Sequence, residues 1–191
     1  SSVWPKLPAQ NVNKIIDTLV YNETMILYVS ATQGEAAQVP SDYPLIVTGI
    51  GIIRATLALT EYLARANKLP ERIINFGTAG SLDGNTGIFE IDHVFQHDFD
   101  HKVIEQIIGK PFPNGIDLPT VSTLPTAHLA TGDSFVNDSD TRARLVQQAQ
   151  LCDMEGYAIA FVAQHFGIPC TLIKQVSDNA DDAAADTWVD A

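Results

Sequence analysis

The apolar positions along the chain follow two rhythms. Val12, Ile15, Ile16, Leu19 and Val20 take the i, i+3, i+4, i+7, i+8 spacing that turns one face of a helix toward a core. Met25 to Val29 is a short uninterrupted apolar run, which predicts a strand buried on both faces. A second run, Leu45 to Thr48, closes on Gly49-Ile50-Gly51. From Ile52 the pattern predicts a helix to about Asn67, and Pro70 prevents its continuation. Ile73-Ile74-Asn75-Phe76 predicts a third buried strand, ended by Gly77-Thr78-Ala79-Gly80. Residues 81–87, rich in Asx and Gly, predict a turn.

The second half is more mixed. Ile91, His93, Phe95, His97 and Phe99 share one face at period 2, which predicts a long strand from Ile88 to His101. Residues 109–128 carry four prolines and read as an irregular excursion. Asp138 or Ser139 is positioned to cap a helix from about Asp140 to Gln150. Gly156 to His165 reads as a helix stopped at Gly167, and Cys170 to Val176 as a further strand. Strands alternating with helices define an α/β class, and apolar strands with helical crossovers favour a parallel or mixed sheet. With no internal repeat and no linker, the expectation is a single domain over 1–191.

Composition removes several function classes. The net charge is −12, with 11 Lys+Arg against 23 Asp+Glu. Phosphate backbones and anionic lipid surfaces call for clusters of Lys and Arg, so neither nucleic acid nor a membrane is an expected partner. The two cysteines, Cys152 and Cys170, form no CxxC, which argues against a disulfide scaffold or thiolate zinc site. No apolar run reaches the length of a membrane span and no secretory pattern opens the chain, so the expected compartment is the cytoplasm.

Candidate chemistry gathers where strands end. Gly49-Ile50-Gly51 follows a strand and opens a helix, a turn able to offer N–H groups to an anion, but Arg54 breaks the GxGxxG pattern. His93, His97 and His101, spread along one strand face, do not make a compact metal site. Glu35 lies just after the first strand, Asp153-Met154-Glu155 leads into a helix, and Asp178 follows the last strand run. Carboxyl ends of strands are where an open α/β sheet binds ligands. Acids at helix starts are also favoured by the helix dipole alone, so taken singly each of these residues admits a purely structural reading.

In order along the chain, residues 26–35, Thr48-Gly49-Ile50-Gly51, Asn75-Phe76-Gly77-Thr78-Ala79-Gly80, Gln96-His97-Asp98, residues 130–137 (ATGDSFVN), Asp153-Met154-Glu155 and Val176-Ser177-Asp178-Asn179-Ala180-Asp181 resemble the nucleoside phosphorylase/nucleosidase family. They are closest to its methylthioadenosine/S-adenosylhomocysteine nucleosidase branch. The resemblance implies a three-layer α/β domain with a central mixed, largely parallel sheet flanked by helices. It implies hydrolysis of the N-glycosidic bond of a purine nucleoside, releasing free purine, in methionine salvage. It also implies a homodimer and no metal or organic cofactor. By the same match Asp178 is the acid at the purine, oriented by Ser177, and Glu35 is the base that activates water. Glu155 and Asp153 would meet the ribose, Met154 would lie against the sugar, Thr78 would place the nucleophile, Phe135 would stack on the purine and the main chain of Phe135 or Val136 would read its edge. The chemistry needs such a division of labour, because the purine leaves only when protonated and the sugar passes through an oxocarbenium-like state.

Phosphorolysis is the alternative within the family, and a non-catalytic nucleoside-binding relative the alternative outside it. A phosphate dianion needs Arg donors. The phosphorylase branches carry an Arg two residues before the strand-end glycine, where this chain has Asn75, and an Arg-bearing loop after the first strand, where this chain has Thr32-Gln33-Gly34-Glu35. Hydrolysis is therefore expected. Asp153 stands where the nucleosidases usually have Glu, Thr78 replaces the commoner Ser, and Ala191 falls where the family continues into a final helix.

Overall fold

A computed structural model describes residues 25–37, 39, 41–181 and 184. The helix expected over Val12 to Val20 lies outside these. The chain opens with β1 (Ile26–Ser30), every residue of it buried, and the one-turn helix α1 (Gln33–Ala36). β2 (Leu45–Val47) and α2 (Ile52–Arg65) follow, then two long strands, β3 (Arg72–Ser81) and β4 (Ile88–Gln96). α3 (His101–Ile108), β5 (Ile116–Asp117), β6 (Thr126–Thr131), α4 (Ser139–Leu145), β7 (Leu151–Asp153), α5 (Gly156–Phe166) and β8 (Cys170–Asp178) complete the described order.

The strands form one mixed, mostly parallel sheet. β1 lies parallel between β2 and β3, β3 pairs parallel with β8, and β6 pairs parallel with both β4 and β7. β8 runs antiparallel to β4, and β7 antiparallel to the end of β3 through Gly80–Cys152 and Ser81–Leu151. β3, β8, β4, β6 and β7 thus close a ring, with β1 and β2 extending it from β3 and β5 from β4. The alternating-element pattern predicted the mixed sheet but not its closure. Closure rests on the three-residue β7, whose apolar content is too short to announce itself.

The main core lies between the sheet and two helices. Leu27, Val29, Ile73 and Leu172 of the sheet pack with Leu59 and Leu63 of α2 and Ile159 and Val162 of α5. At roughly 1.5–3 kcal/mol per fully buried aliphatic side chain, this cluster anchors the strands whose ends carry the acids. A smaller cluster of Leu82, Phe95, Val136, Leu145 and Cys152 sits beside the ring closure.

Four local expectations are corrected. The long strand ends at Gln96, because Asp100 accepts from the Val103 amide and starts α3 at His101. The three histidines therefore do not share one strand face. Gly77 to Gly80 does not terminate β3; pairing with β8 carries the strand through to Ser81, with a register shift between Ala79 and Gly80. The excursion over 109–128 contains β5 and the start of β6. The helix after Asp138 stops at Leu145 rather than Gln150, and Asp138, not Ser139, is its cap. The predicted helix ending at Gly167 is found as α5, with Gly167 at φ 69°.

Candidate active site

Glu35 is set by a local rule. Thr32 caps α1 by accepting from the Glu35 amide, and Glu35 reaches back to the Thr32 amide at 3.0 Å, a capping box. The same oxygen, Oε2, accepts from the Ala31 amide at 3.1 Å and the Thr32 hydroxyl at 3.3 Å. Oε1 crosses to β3 and accepts from the Thr78 amide at 2.8 Å and the Thr78 hydroxyl at 3.0 Å. The carboxylate is buried yet fully supplied with donors, which offsets its loss of water.

Asp178 closes β8. Its Oδ2 accepts from the Ser177 hydroxyl at 2.8 Å and its Oδ1 from the Ala180 amide at 2.8 Å. Gly80 faces it: a Cβ there would stand 2.8 Å from Asp178 Oδ1 and 3.1 Å from Cys152 Sγ. The glycine is thus required by close approach, not by an unusual φ. Burial, with Asp178 and Asp153 nearby, pushes the Cys152 thiol up, so that wall stays neutral.

Glu155 occupies the N-cap position of α5 but does not cap it. Its Oε1 instead accepts from the Gly51 amide at 2.8 Å, at the turn that opens α2. The next amide, Ile52, donates to Asp133 at 2.7 Å. The first two free amides of α2 are therefore taken by the protein's own acids, and the anion site that the Gly49-Ile50-Gly51 turn suggested is filled from within. Burial and the neighbouring Asp153 push the Glu155 carboxyl up to about 7, against the pull of Lys174 and the Gly51 amide.

Asp153 points into the protein fabric. Oδ1 accepts from the Thr131 hydroxyl at 2.5 Å, and Oδ2 from the Gly156 amide at 2.8 Å and Lys174 Nζ at 2.8 Å. Lys174 was not singled out by its sequence context. The signal was there, however, in a lysine within an apolar strand run, which is rarely buried without a partner. Burial would lower its ammonium, but Asp153 and Glu155 outweigh this and raise it.

These groups meet at one cavity of about 300 Å³. Every residue expected at the site lines it: Glu35, Thr78, Phe135, Val136, Asp153, Met154, Glu155, Ser177 and Asp178. Ala31, Thr32, Ile50, Ala79, Gly80 and Cys152, none of them assigned a role from the sequence, complete the wall. Among the described residues, no lysine or arginine lines it. Asn75 is buried and donates to the Val29 carbonyl at 2.9 Å, tying β3 to β1. The histidines lie elsewhere: His93 pairs with Asp117 at 2.7 Å, and His97 packs behind Gly132. Among the described residues, no group of three or more His, Cys, Asp or Glu is arranged to hold a metal ion. Among them, too, no helix is long and apolar enough to cross a membrane.

A ring-closed α/β sheet that brings carboxylates from several strand ends, three hydroxyls and an aromatic side chain to one cavity defines a small-molecule site equipped for acid–base chemistry. The chain belongs to the phosphorylase superfamily, whose family profile matches residues 41–191. It is 28% identical over 155 residues to the aminodeoxyfutalosine nucleosidase of Helicobacter pylori, covering 71% of this chain and 66% of the relative. The chain therefore spans just under two thirds of that relative's length. It is 28% identical over 184 residues to the 5′-methylthioadenosine/S-adenosylhomocysteine nucleosidase of Staphylococcus epidermidis, covering 85% and 79% of the two chains. The nucleosidase of the same name from a Shewanella strain is 30% identical over 161 residues, covering 70% and 67%. In fold, the chain matches the crystal structure of the Helicobacter pylori 5′-methylthioadenosine/S-adenosylhomocysteine nucleosidase at a TM-score of 0.74, with 23% identity and coverage of 88% and 90%.

Proposed function

We propose that the protein hydrolyses the N-glycosidic bond of a purine nucleoside carrying a modified 5′ position, of the methylthioadenosine, S-adenosylhomocysteine or aminodeoxyfutalosine type. The observation that carries this reading is the convergence of Glu35, Glu155 and Asp178 on one cavity that, among the described residues, no cation lines. Phosphate as nucleophile would meet three acids and no Arg or Lys donor; water meets a base. The nucleosidase relatives point the same way.

In this reading Asp178 donates a proton to the purine. Ser177 lies 2.8 Å from Asp178 Oδ2 and 3.4 Å from the Ala79 carbonyl, so its hydroxyl can turn between the two as the carboxyl gains and loses the proton. Glu35, held by Thr78, takes the proton of the attacking water. Glu155 meets the ribose hydroxyls, and its negative charge opposes the positive charge growing on the sugar. Phe135 stacks on the purine, the main chain of Phe135 and Val136 reads its edge, and Met154 packs on the sugar. Asp153, whose oxygens are both engaged within the protein, serves the ribose site through its neighbour Glu155 rather than by direct contact.

We also propose a homodimer. Ile53 and Leu57 stand one turn apart on α2 and are 77% and 66% exposed, and Phe161 of the adjoining α5 is 53% exposed. An apolar stripe of this kind on two packed helices suits a second copy of the chain. A substrate of the methylthioadenosine type also supports the reading of a cytoplasmic protein that acts in methionine salvage.

The test is purine release from methylthioadenosine, S-adenosylhomocysteine, adenosine, inosine and futalosine, with and without phosphate. Release in phosphate-free buffer is expected, together with a loss of roughly 100-fold or more in Asp178→Asn. Strict dependence on phosphate, or full activity in that variant, overturns the reading.

A further inference from the structure

The buried ammonium of Lys174 is the feature that the roles assigned to the site residues do not account for. It is completely enclosed beneath the cavity. It pairs with Asp153 at 2.8 Å, and a Cβ built at Gly77 would fall 2.9 Å from its Nζ and 3.4 Å from Glu35 Oε1. The ammonium and the Glu35 carboxylate therefore both border Gly77, where any side chain would meet the two.

The start of α5 shows what the pair does. Glu155 is the N-cap residue, and an N-cap acid would ordinarily turn back on the free amides of its own helix. Here those amides are already taken. Gly156 donates to Asp153 Oδ2, and Tyr157 donates to the Thr131 hydroxyl, which in turn donates to Asp153 Oδ1. Asp153 and Thr131 cap the helix in place of Glu155, whose carboxylate swings away to the Gly51 amide and the cavity. Such a substitute cap places a second buried carboxylate two residues from Glu155. Without a counter-charge the two acids would repel each other in a dry site. Lys174 supplies that charge.

We infer that Lys174, through its ion pair with Asp153, is a positioning residue for Glu155: the pair takes over the capping of α5 and provides the positive charge that lets the Glu155 carboxylate stand ionised in the cavity. The inference rests on the hydrolase reading, in which Glu155 acts as a carboxylate at the ribose. The charged and titratable groups around Glu155 are Asp153 from β7, Lys174 and Asp178 from β8, Glu35 from α1 and Asp133 from the loop after β6. The nearby Cys152 thiol is neutral.

The experiment is the pH dependence of kcat/KM for methylthioadenosine cleavage across about pH 5 to 9, which reports the groups of the free enzyme. Activity in the wild type is expected to rise through an acidic limb near 7, where Glu155 ionises. Lys174→Met removes an attraction and is expected to move that limb up by about one pH unit. Asp153→Asn removes a repulsion and is expected to move it down, and Lys174→Arg is expected to leave it in place. The opposite directions distinguish charge from mere loosening of the fold, which would lower activity equally at every pH. Should Lys174→Met fail to fold, Asp153→Asn decides alone. A wild type that turns over but whose limb the folded variants do not move, or move in one common direction, overturns the inference and leaves the hydrolase reading standing. A wild type that releases no purine at any pH overturns both.

Discussion

Burial and the charge of Asp153 put the Glu155 carboxyl about where a neutral solution titrates it, at about 7 rather than the ordinary 4.5. This has a cost in stability with a definite sign. Below the unfolded value both states carry the proton. As pH rises toward the folded value the unfolded chain ionises first, so the stability that the protonated form contributes is lost by the time pH passes 7. Glu155→Gln keeps an oxygen for the Gly51 amide but never ionises. Relative to wild type it is expected to gain stability between about pH 5 and 8, on the order of 2–3 kcal/mol, while losing turnover. Urea midpoints of the two proteins at both ends of that range check it, and a constant difference between them excludes a folded-state titration of Glu155.

The strands position the acids by how closely they approach one another, and glycines permit that approach. β3 and β8 run parallel for most of their length and slip register between Ala79 and Gly80, so that Gly80 faces Asp178. A methyl group at Gly80 would press on Asp178 Oδ1 at 2.8 Å, on the Ala180 Cβ at 3.0 Å and on Cys152 Sγ at 3.1 Å. All three are side-chain atoms and Asp178 Oδ1 is the nearest, so the carboxylate of the acid is displaced first. Gly80→Ala is expected to lower kcat by about 100-fold, because misplacing a reacting group by an ångström has that effect. Circular dichroism should show the fold retained. A variant with wild-type kcat would show that the acid tolerates displacement, contrary to the close packing at this strand end.

At the scale of the molecule, sheet and surface serve different ends. The ring of β3, β8, β4, β6 and β7 brings the ends of β1, β3, β7 and β8 to one cavity, although these strands are far apart in the chain. On the outside, α2 and α5 pack together and leave Ile53, Leu57 and Phe161 exposed. Charging that stripe with Ile53→Glu and Leu57→Glu is expected to convert a dimer into a monomer, read by light scattering during size-exclusion chromatography. The interior face of α2, with Leu59 and Leu63 fully buried, is untouched by these changes, so thermal stability of the monomer should fall only modestly. A wild type that is monomeric at micromolar concentration removes the interface.

Much of this was legible before any coordinates, for local reasons. Strands at β1, β2 and β8, the helices α2 and α5, and the stop at Gly167 follow from runs of apolar residues, helical spacing and backbone propensity, which act over a few neighbours, although β2 is not the buried strand its apolar run predicted, because it pairs on one side only, with β1. The capping box that holds Glu35 is equally local, Thr32 and Glu35 being three residues apart. The candidate acids were found because strand ends and a family resemblance marked Glu35, Glu155 and Asp178. Contacts between distant parts of the chain lay beyond that reach. The course of β3 through Gly77-Thr78-Ala79-Gly80, the ring closed by β7, the union of Gly51 with Glu155 across 104 positions and the pairing of Lys174 with Asp153 were decided by the tertiary structure. Propensity and periodicity describe what a segment can become, whereas close packing and the need to satisfy every buried charge determine which distant group it must meet.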